Sequence, residues 1–411
     1  MSEPKIEITP MRSAVRSDGA STLDVLVEII PPAPEVHFVR PPINLGLVLD
    51  RSGSMSAARK MNYACEAACF AVQQLLATDR VGVTIFDNEV ETLVPNAPAT
   101  DKPYLVRQIM GISPRNATAL HAGWKQGGLD VERNFITEGM NRVILLSDGL
   151  ANEGVTDPNV IAADTKALAA RGVSTSTMGL GSNYNEDLMQ AMAESGDGNY
   201  YYIESPQQLA DIFHTEMNGL MANFGQKVSL GIEPQSGVRV VEVLNDLERN
   251  ARGRVMLPNL LVGMPIPIVV RLEVPTISKK AALCRFRLAW DDPKAGRRRQ
   301  MYAMMELGTC SSAEWEKLPV EALVAEHVAL LMAARAKREA IAAYDQGNEE
   351  ATRAQLIGIR YHLSAMASTE ATRKELDEIS ELEADLDKGQ GTTFRKRAGW
   401  QAYLRKFGKK S

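Results

Sequence analysis

The sequence predicts an α/β fold. A doubly wound, mostly parallel sheet is inserted in an antiparallel β-sandwich and followed by a C-terminal α-helical region. Three observations lead there. Between about residues 43 and 222, strand-like runs alternate with helical stretches, and alternating β and α units build a parallel sheet with helices on both faces. On either side of that segment, at 3–40 and 225–308, the pattern is β alone. From about 313 onward the spacing is helical.

In chain order, Lys5-Ile-Glu-Ile-Thr alternates in period two, Ser17-Asp-Gly-Ala reads as a turn, and Val25, Val27 and Ile29 share one face of a second strand. Pro31, Pro32 and Pro34 end that strand. Two strands alone are marginal and need partners. The alternating segment then reads as strands at Ile43–Leu49, Arg80–Phe86, Arg142–Leu146, Val173–Leu180 and Tyr200–Ile203. Helices are predicted at about 57–77, 101–111, 119–133, 157–170, 185–194 and 206–220. Leu47-Val48-Leu49 and Leu145-Leu146 are apolar throughout, as strands covered on both sides are. After 225, Val228-Ser-Leu, Val238–Val243, Ile266–Val274 and Leu283–Trp290 are strand candidates that complete the sandwich begun by the first 40 residues. Pro319 opens a helix running to about Tyr344, Gly347-Asn348 breaks it, a second helix follows to about Met366, and a third spans roughly Glu370–Asp387. The predicted domains are therefore 1–40 and 223–310 for the sandwich, 41–222 for the α/β domain, 311–388 for the helical region and 389–411 for a basic, aromatic tail.

Composition narrows the function classes. The chain has 411 residues, 45% apolar and 24% charged, which suits a folded globular protein. With 46 basic and 51 acidic residues the formal net charge is −5, so no general affinity for nucleic acid is expected. No apolar run reaches the roughly 18 residues of a membrane span, and MSEPKIEITP lacks the apolar core of a secretory signal. Cys65 and Cys69 lie at i, i+4 on a predicted helix, far from Cys284 and Cys310, and read as small buried side chains rather than metal ligands. Four cysteines make no disulfide scaffold, and a reducing, cytoplasmic setting is expected. Charge is segregated at the end of the chain. Residues 375–387 carry seven acidic side chains, whereas 389–411 carry seven basic ones interleaved with Phe394, Trp400, Tyr403 and Phe407. Such a tail either folds over the acidic helix, stays solvated, or contacts an anionic surface.

The chemistry concentrates at strand ends. The strand Leu47-Val-Leu-Asp50 runs into Arg51-Ser52-Gly53-Ser54, which places a carboxylate and two hydroxyls at i, i+2 and i+4 beyond the carboxyl end of a β-strand. Ligand sites of open α/β sheets lie at that edge. Asn116-Ala117-Thr118 offers a further hydroxyl at the start of a helix, and Leu145-Leu-Ser-Asp148 ends a second apolar strand with a second carboxylate. Hard oxygen donors of this kind suit Mg²⁺, with Mn²⁺ or Ca²⁺ as substitutes. His121, three residues past Thr118, reads as a helix-surface or supporting residue rather than a base. There is no phosphate-binding loop and no nucleophile elbow.

Asp50-x-Ser52-x-Ser54, Thr118 and Asp148 resemble, in order and approximate spacing, the metal-ion-dependent adhesion site of the von Willebrand factor A (VWA) family, whose fold is Rossmann-like. Gly179-Leu-Gly-Ser-Asn-Tyr-Asn-Glu and Gly198-Asn-Tyr-Tyr-Tyr-Ile are similar to the last third of bacterial members. The likeness covers about 180 residues, and the second loop departs from it by carrying Asn116-Ala117 where relatives often carry Gly-Gly. The flanking β segments resemble, in layout, relatives of inter-alpha-trypsin-inhibitor heavy chains and calcium-activated chloride channel regulators. The resemblance implies that Asp50, Ser52, Ser54, Thr118 and Asp148 hold a divalent cation and that a partner protein supplies an Asp or Glu to it. It implies a binding module or scaffold and not an enzyme. Two other readings stay open: a regulatory subunit of an AAA ATPase or chelatase-type complex, and a metal-dependent hydrolase.

Overall fold

A computed structural model describes residues 3–33, 40–115, 117–293, 295–366 and 368–409. Pro34 and Asn116, singled out above, and the last two residues of the segment 389–411 lie outside the described residues. The strands in chain order are β1 (Lys5–Pro10), β2 (Ala14–Arg16), β3 (Ser21–Ile30), β4 (Ile43–Asp50), β5 (Arg80–Phe86), β6 (Val90–Pro98), β7 (Met140–Ser147), β8 (Val173–Leu180), β9 (Tyr200–Ile203), β10 (Asn223–Pro234), β11 (Arg239–Val243), β12 (Val255–Met256), β13 (Leu260–Leu261), β14 (Ile266–Val274), β15 (Ala281–Asp292) and β16 (Arg297–Cys310). The helices are α1 (Lys60–Gln74), α2 (Lys102–Met110), α3 (Leu120–Arg133), α4 (Pro158–Ala170), α5 (Glu186–Ser195), α6 (Leu209–Met221), α7 (Ser312–Trp315), α8 (Ala322–Asp345), α9 (Glu349–Ser364), α10 (Glu370–Asp387) and α11 (Gly391–Lys406). Two compact units emerge: His37–Asn223 with Asp292–Arg297, and the remainder of the chain.

The first unit is the α/β domain. Its sheet has the order β6-β5-β4-β7-β8-β9. All neighbours are parallel except β6, which returns antiparallel to β5. Every residue of β4 and β7 is buried, as their unbroken apolar runs require of central strands with both faces covered. Strand β6 had no counterpart in the sequence reading. Pro95 and Pro98 argue against a strand, but an edge strand tolerates proline because one side of its backbone needs no partner. Helix α3 lies very close to the sheet. A Cβ at Gly127 would stand 2.3 Å from Val48 Cγ2, and one at Gly123 would stand 2.5 Å from the Phe86 ring. Glycine at these positions lets the helix approach β4 and β5, and so brings the start of α3 to the ends of those strands.

The helix expected over 57–77 begins later. A tight turn spans Gly53–Arg59, Ala57 is extended, and Ala58 and Arg59 adopt left-handed backbone (φ 49° and 59°) before α1 starts at Lys60. Alanine-rich sequence favours helix, but the chain must first curl around the end of β4.

In the second unit two sheets share one apolar core. One has the order β1-β3-β14-β11 and is antiparallel throughout. The other has the order β12-β10-β15-β16-β2, with β13 also on β10. Val25, Val27 and Ile29 from the first sheet and Leu230, Phe286, Leu288 and Trp290 from the second are buried together. The two amino-terminal strands thus find their partners beyond residue 225, with Ile29 opposite Ile266 and Leu23 opposite Leu272. Strand β16 lies in the segment that reads as β, but its Arg- and Met-rich composition, which favours helix, hides it as an individual strand.

Helices α8 to α11 pack in the same unit. Val324 and Leu331 of α8 are buried with Leu26 of β3 and Val269 of β14. The segment 389–411 is mostly the helix α11 rather than a tail. Phe394, Ala398 and Tyr403 are buried. Arg397 donates to Asp385 at 2.8 Å, and Arg405 to Glu375 at 2.8 Å, both on acidic α10. The fold-back alternative is the one adopted. Between α8 and α10, the fully buried Lys337 Nζ lies 2.6 Å from Glu375 and 3.0 Å from Glu378, so the acidic helix is neutralised from two sides.

Candidate functional site

Strands β4 and β7 are neighbours, yet the chain runs from β4 to β5 on one side before crossing to β7 on the other. Their carboxyl ends therefore flank a point where strand order reverses, the usual place for a ligand in such sheets. Asp50 is the last residue of β4, and Asp148 follows the last residue of β7. Both carboxylates are fully buried, Ser52 and Thr118 are nearly so, and Ser54 is exposed.

Local hydrogen bonds shape the first loop. The Ser52 N–H donates to Asp50 Oδ1 at 2.7 Å, and the Ser147 hydroxyl donates to Asp50 Oδ2. Ser52 Oγ and Ser54 Oγ lie 3.1 Å apart, and Ser54 Oγ donates to Asp148 Oδ1 at 2.5 Å. Four of the five expected donor residues are thus linked by one run of hydrogen bonds. Thr118 joins them through Gly149: a Cβ there would stand 3.1 Å from Thr118 Oγ1 and 3.7 Å from Asp50 Oδ2, so the three loops converge around this glycine.

The loops are tied to one another by backbone. Arg115 N donates to Arg51 O, Ala119 N to Asp87 O, and Asn152 N to Thr118 O, at 2.6, 2.6 and 3.3 Å. Asn152 Oδ1 in turn accepts from Thr118 N at 3.1 Å. Asp87 Oδ2 is shared by Arg51 Nε and Arg115 Nε at 3.0 and 2.6 Å, which clamps the loop before α3 to the loop after β4.

The electrostatics favour a cation. Burial pushes the Asp50 carboxyl up to about 6; hydrogen bonds from Ser147 and Ser52 pull it back only in part, and the charge of Asp148 adds to the rise. Two adjacent buried carboxylates are costly unless positive charge accompanies them. Lys60 supplies some: its Nζ lies 2.5 Å from Asp148 Oδ2.

The donor set also fits a hard divalent ion. Bonds of about 2.0–2.1 Å at right angles put neighbouring oxygens about 2.9 Å apart, close to the 3.1 Å between the two serine hydroxyls. Among the described residues no group of three or more His, Cys, Asp and Glu side chains is placed to hold a metal, so a cation at this strand edge would have to draw on the three hydroxyls beside the two carboxylates. His121 is engaged elsewhere, with Nε2 2.9 Å from Asp164 Oδ2 and its ring against Trp124. Cys65 sits in the apolar core, where burial pushes its thiol up to about 12, and all four cysteines are free thiols.

Sequence reasoning missed three contributors. Ser147 was hidden because a serine before Asp148 on an apolar strand looks like the strand's end. A helix predicted over 57–77 makes Lys60 an interior helix residue, whereas the structure puts it at the start of α1 beside Asp148. The Arg51–Asp87–Arg115 clamp joins residues from three separate segments, and no local pattern announces it.

Comparison with known proteins bears on the fold that carries these loops. Residues 44–215 match the von Willebrand factor type A domain. The uncharacterized protein YfbK of Escherichia coli is 28% identical over 194 residues, covering 47% of this chain and 34% of that protein. The uncharacterized protein sll0103 of Synechocystis is 24% identical over 278 residues, covering 63% of this chain and 64% of that protein. The chain therefore spans about a third of the first relative's length and under two thirds of the second's. A von Willebrand factor type A structure from Catenulispora acidiphila superposes with a TM-score of 0.72 at 15% identity, covering 92% of this chain and 90% of that one. The ArnB paralog VWA2 from Sulfolobus acidocaldarius superposes at 0.64 with 18% identity and 98% of each chain. At such identities these structures speak to fold alone. No helix among the described residues is long and apolar enough to cross a membrane.

Proposed function

From the premise that residues 44–215 are a von Willebrand factor type A domain, we propose that the protein is a divalent-metal-dependent binding module or scaffold, not an enzyme, which captures an acidic side chain of a protein partner. Asp50, Ser52, Ser54, Thr118 and Asp148 would hold the cation, with Mg²⁺ the best match to the donors. The observation that carries the reading is the meeting of oxygen donors from three separate loops at one strand-end, with hydrogen-bonded contacts of 2.5–3.1 Å linking Ser52, Ser54 and Asp148.

The cation, when bound, would supply an electrophilic position for a partner's carboxylate oxygen. The chain's own residues do the rest. Asp50 and Asp148 neutralise a double positive charge without exceeding it, so attraction for a third carboxylate survives. Ser54, exposed beside buried Asp50 and Asp148, marks the side from which a partner reaches the donors. Leu150, two residues beyond Asp148, is 54% exposed. Apolar side chains beside a polar centre suit a protein surface better than a small polar ligand.

The test is partner capture from a lysate of the source cells in Mg²⁺ and in chelator. A partner retained in Mg²⁺, released by chelator and not captured by an Asp50→Ala/Asp148→Ala variant is the expected outcome. Capture that is indifferent to both would reject the proposal.

A further inference from the structure

The site contains a positive charge of its own, and the backbone is bent to put it there. Ala58 and Arg59 both adopt left-handed backbone, uncommon for residues with a Cβ. This reversal makes Lys60 the first residue of α1. A cation in the first turn of a helix faces the positive end of the helix dipole, so the ammonium needs a carboxylate nearby. Asp148 supplies it: Nζ donates to Oδ2 at 2.5 Å while Ser54 Oγ occupies Oδ1. Gly181, with φ 78°, borders the ammonium, and a Cβ there would stand 3.7 Å from Nζ. The Lys60 side chain is 14% exposed, so its flexible stem has an outlet to solvent.

We propose that Lys60 is a resident counter-ion that competes with the divalent cation for Asp148. It rests on the metal-binding reading above and adds a regulatory consequence. Both oxygens of Asp148 already have partners. A divalent ion drawing on that carboxylate, directly or through water, comes within a few ångströms of the ammonium, and like charges at that distance in a poorly solvated site repel strongly. Loading the cation therefore requires Lys60 to swing outward. Without the cation, the ion pair keeps two buried carboxylates from facing each other with no compensating charge. The lysine thus preserves the geometry of the empty site and sets the cation level at which partner capture begins.

The experiment is calorimetric titration of MgCl₂ into the full chain as wild type, Lys60→Met and Lys60→Arg, with circular dichroism melting to confirm that each is folded. Lys60→Met is expected to bind Mg²⁺ about tenfold more tightly than wild type, because one opposing charge is gone. Lys60→Arg, which keeps the charge, is expected to stay within about threefold. Wild type that binds Mg²⁺ while Lys60→Met binds equally or more weakly overturns the competition and leaves the metal site standing. No Mg²⁺ binding by wild type or by folded Lys60→Met overturns both. A measurement on the wild-type side chain covers the case in which Lys60→Met does not fold. Lysines are ¹³C-methylated and the Lys60 signal is assigned by its loss in Lys60→Arg. That signal should move as Mg²⁺ is added; if it stays still while the metal binds, the competition is likewise overturned.

Discussion

Asp50 illustrates what burial at a strand end does to a single carboxyl. Its carboxyl sits at about 6, raised from the ordinary aspartate value of 3.8, first by burial and then by Asp148. A carboxyl whose folded value is raised contributes stability below its unfolded value and loses it as pH climbs through the folded value. In chelator, wild type should therefore lose stability relative to Asp50→Asn between about pH 4 and 6. The difference should reach about 2–3 kcal/mol at pH 7.5, because each pH unit between the unfolded and folded values is worth about 1.4 kcal/mol. Urea unfolding of both proteins at pH 5.0 and 7.5 checks the sign. A difference that does not change with pH would mean that Asp50 is not held at cost. At this scale the sequence was informative where chemistry follows a strand end. Asp50, Ser52, Ser54 and Asp148 come together because parallel strands deliver their termini to one edge. Lys60 was not legible, since its position depends on two left-handed residues that alanine and arginine do not advertise.

Among the elements, α3 carries the greatest geometric constraint. Its approach to β4 is set by Gly127, where a Cβ would fall 2.3 Å from a stiff, buried valine side chain. Gly→Ala in a helix ordinarily gains up to about 1 kcal/mol of propensity. Overpacking costs about 1–3 kcal/mol, so the clash wins, and more clearly for a larger side chain. Gly127→Val should lower stability by about 2 kcal/mol or more and, by lifting α3, displace Thr118. Denaturant unfolding and a Mg²⁺ titration of the variant test both parts; a variant as stable as wild type would refute the packing argument. The alternating elements of the α/β domain were readable because their apolar periods are long and uninterrupted. Strand β6 and helix α11 were not. Prolines obscured the first, which is acceptable only at an edge. For the second, the basic face is balanced by Asp385 and Glu375 on α10, a tertiary pairing that leaves no periodic trace.

Across the whole molecule, the sandwich is closed by strands that precede and follow the α/β segment in the chain. β14 lies between β3 and β11, and β3 in turn carries β1. Deleting residues 3–33 would strip β14 of one neighbour and uncover Val270, Leu272 and Leu288, all now fully buried. The shortened chain should be recovered largely aggregated, with altered far-ultraviolet dichroism in whatever stays dispersed; a monodisperse product with native melting would contradict this closure. That the first strands need later partners was legible, because two strands cannot bury a core. Their exact registers were not, since apolar period-two runs pair in more than one way.

The pairing of Ile29 with Ile266 has a consequence for biosynthesis. On a ribosome adding roughly 5–20 residues per second, the first hairpin emerges and then waits tens of seconds for its mate while the α/β domain is translated. Through that interval β3 presents one bare edge of valine, leucine and isoleucine to the cell, the kind of surface on which nascent chains stick together. The strand that anchors the finished sandwich is thus the segment most in need of a chaperone before it is finished.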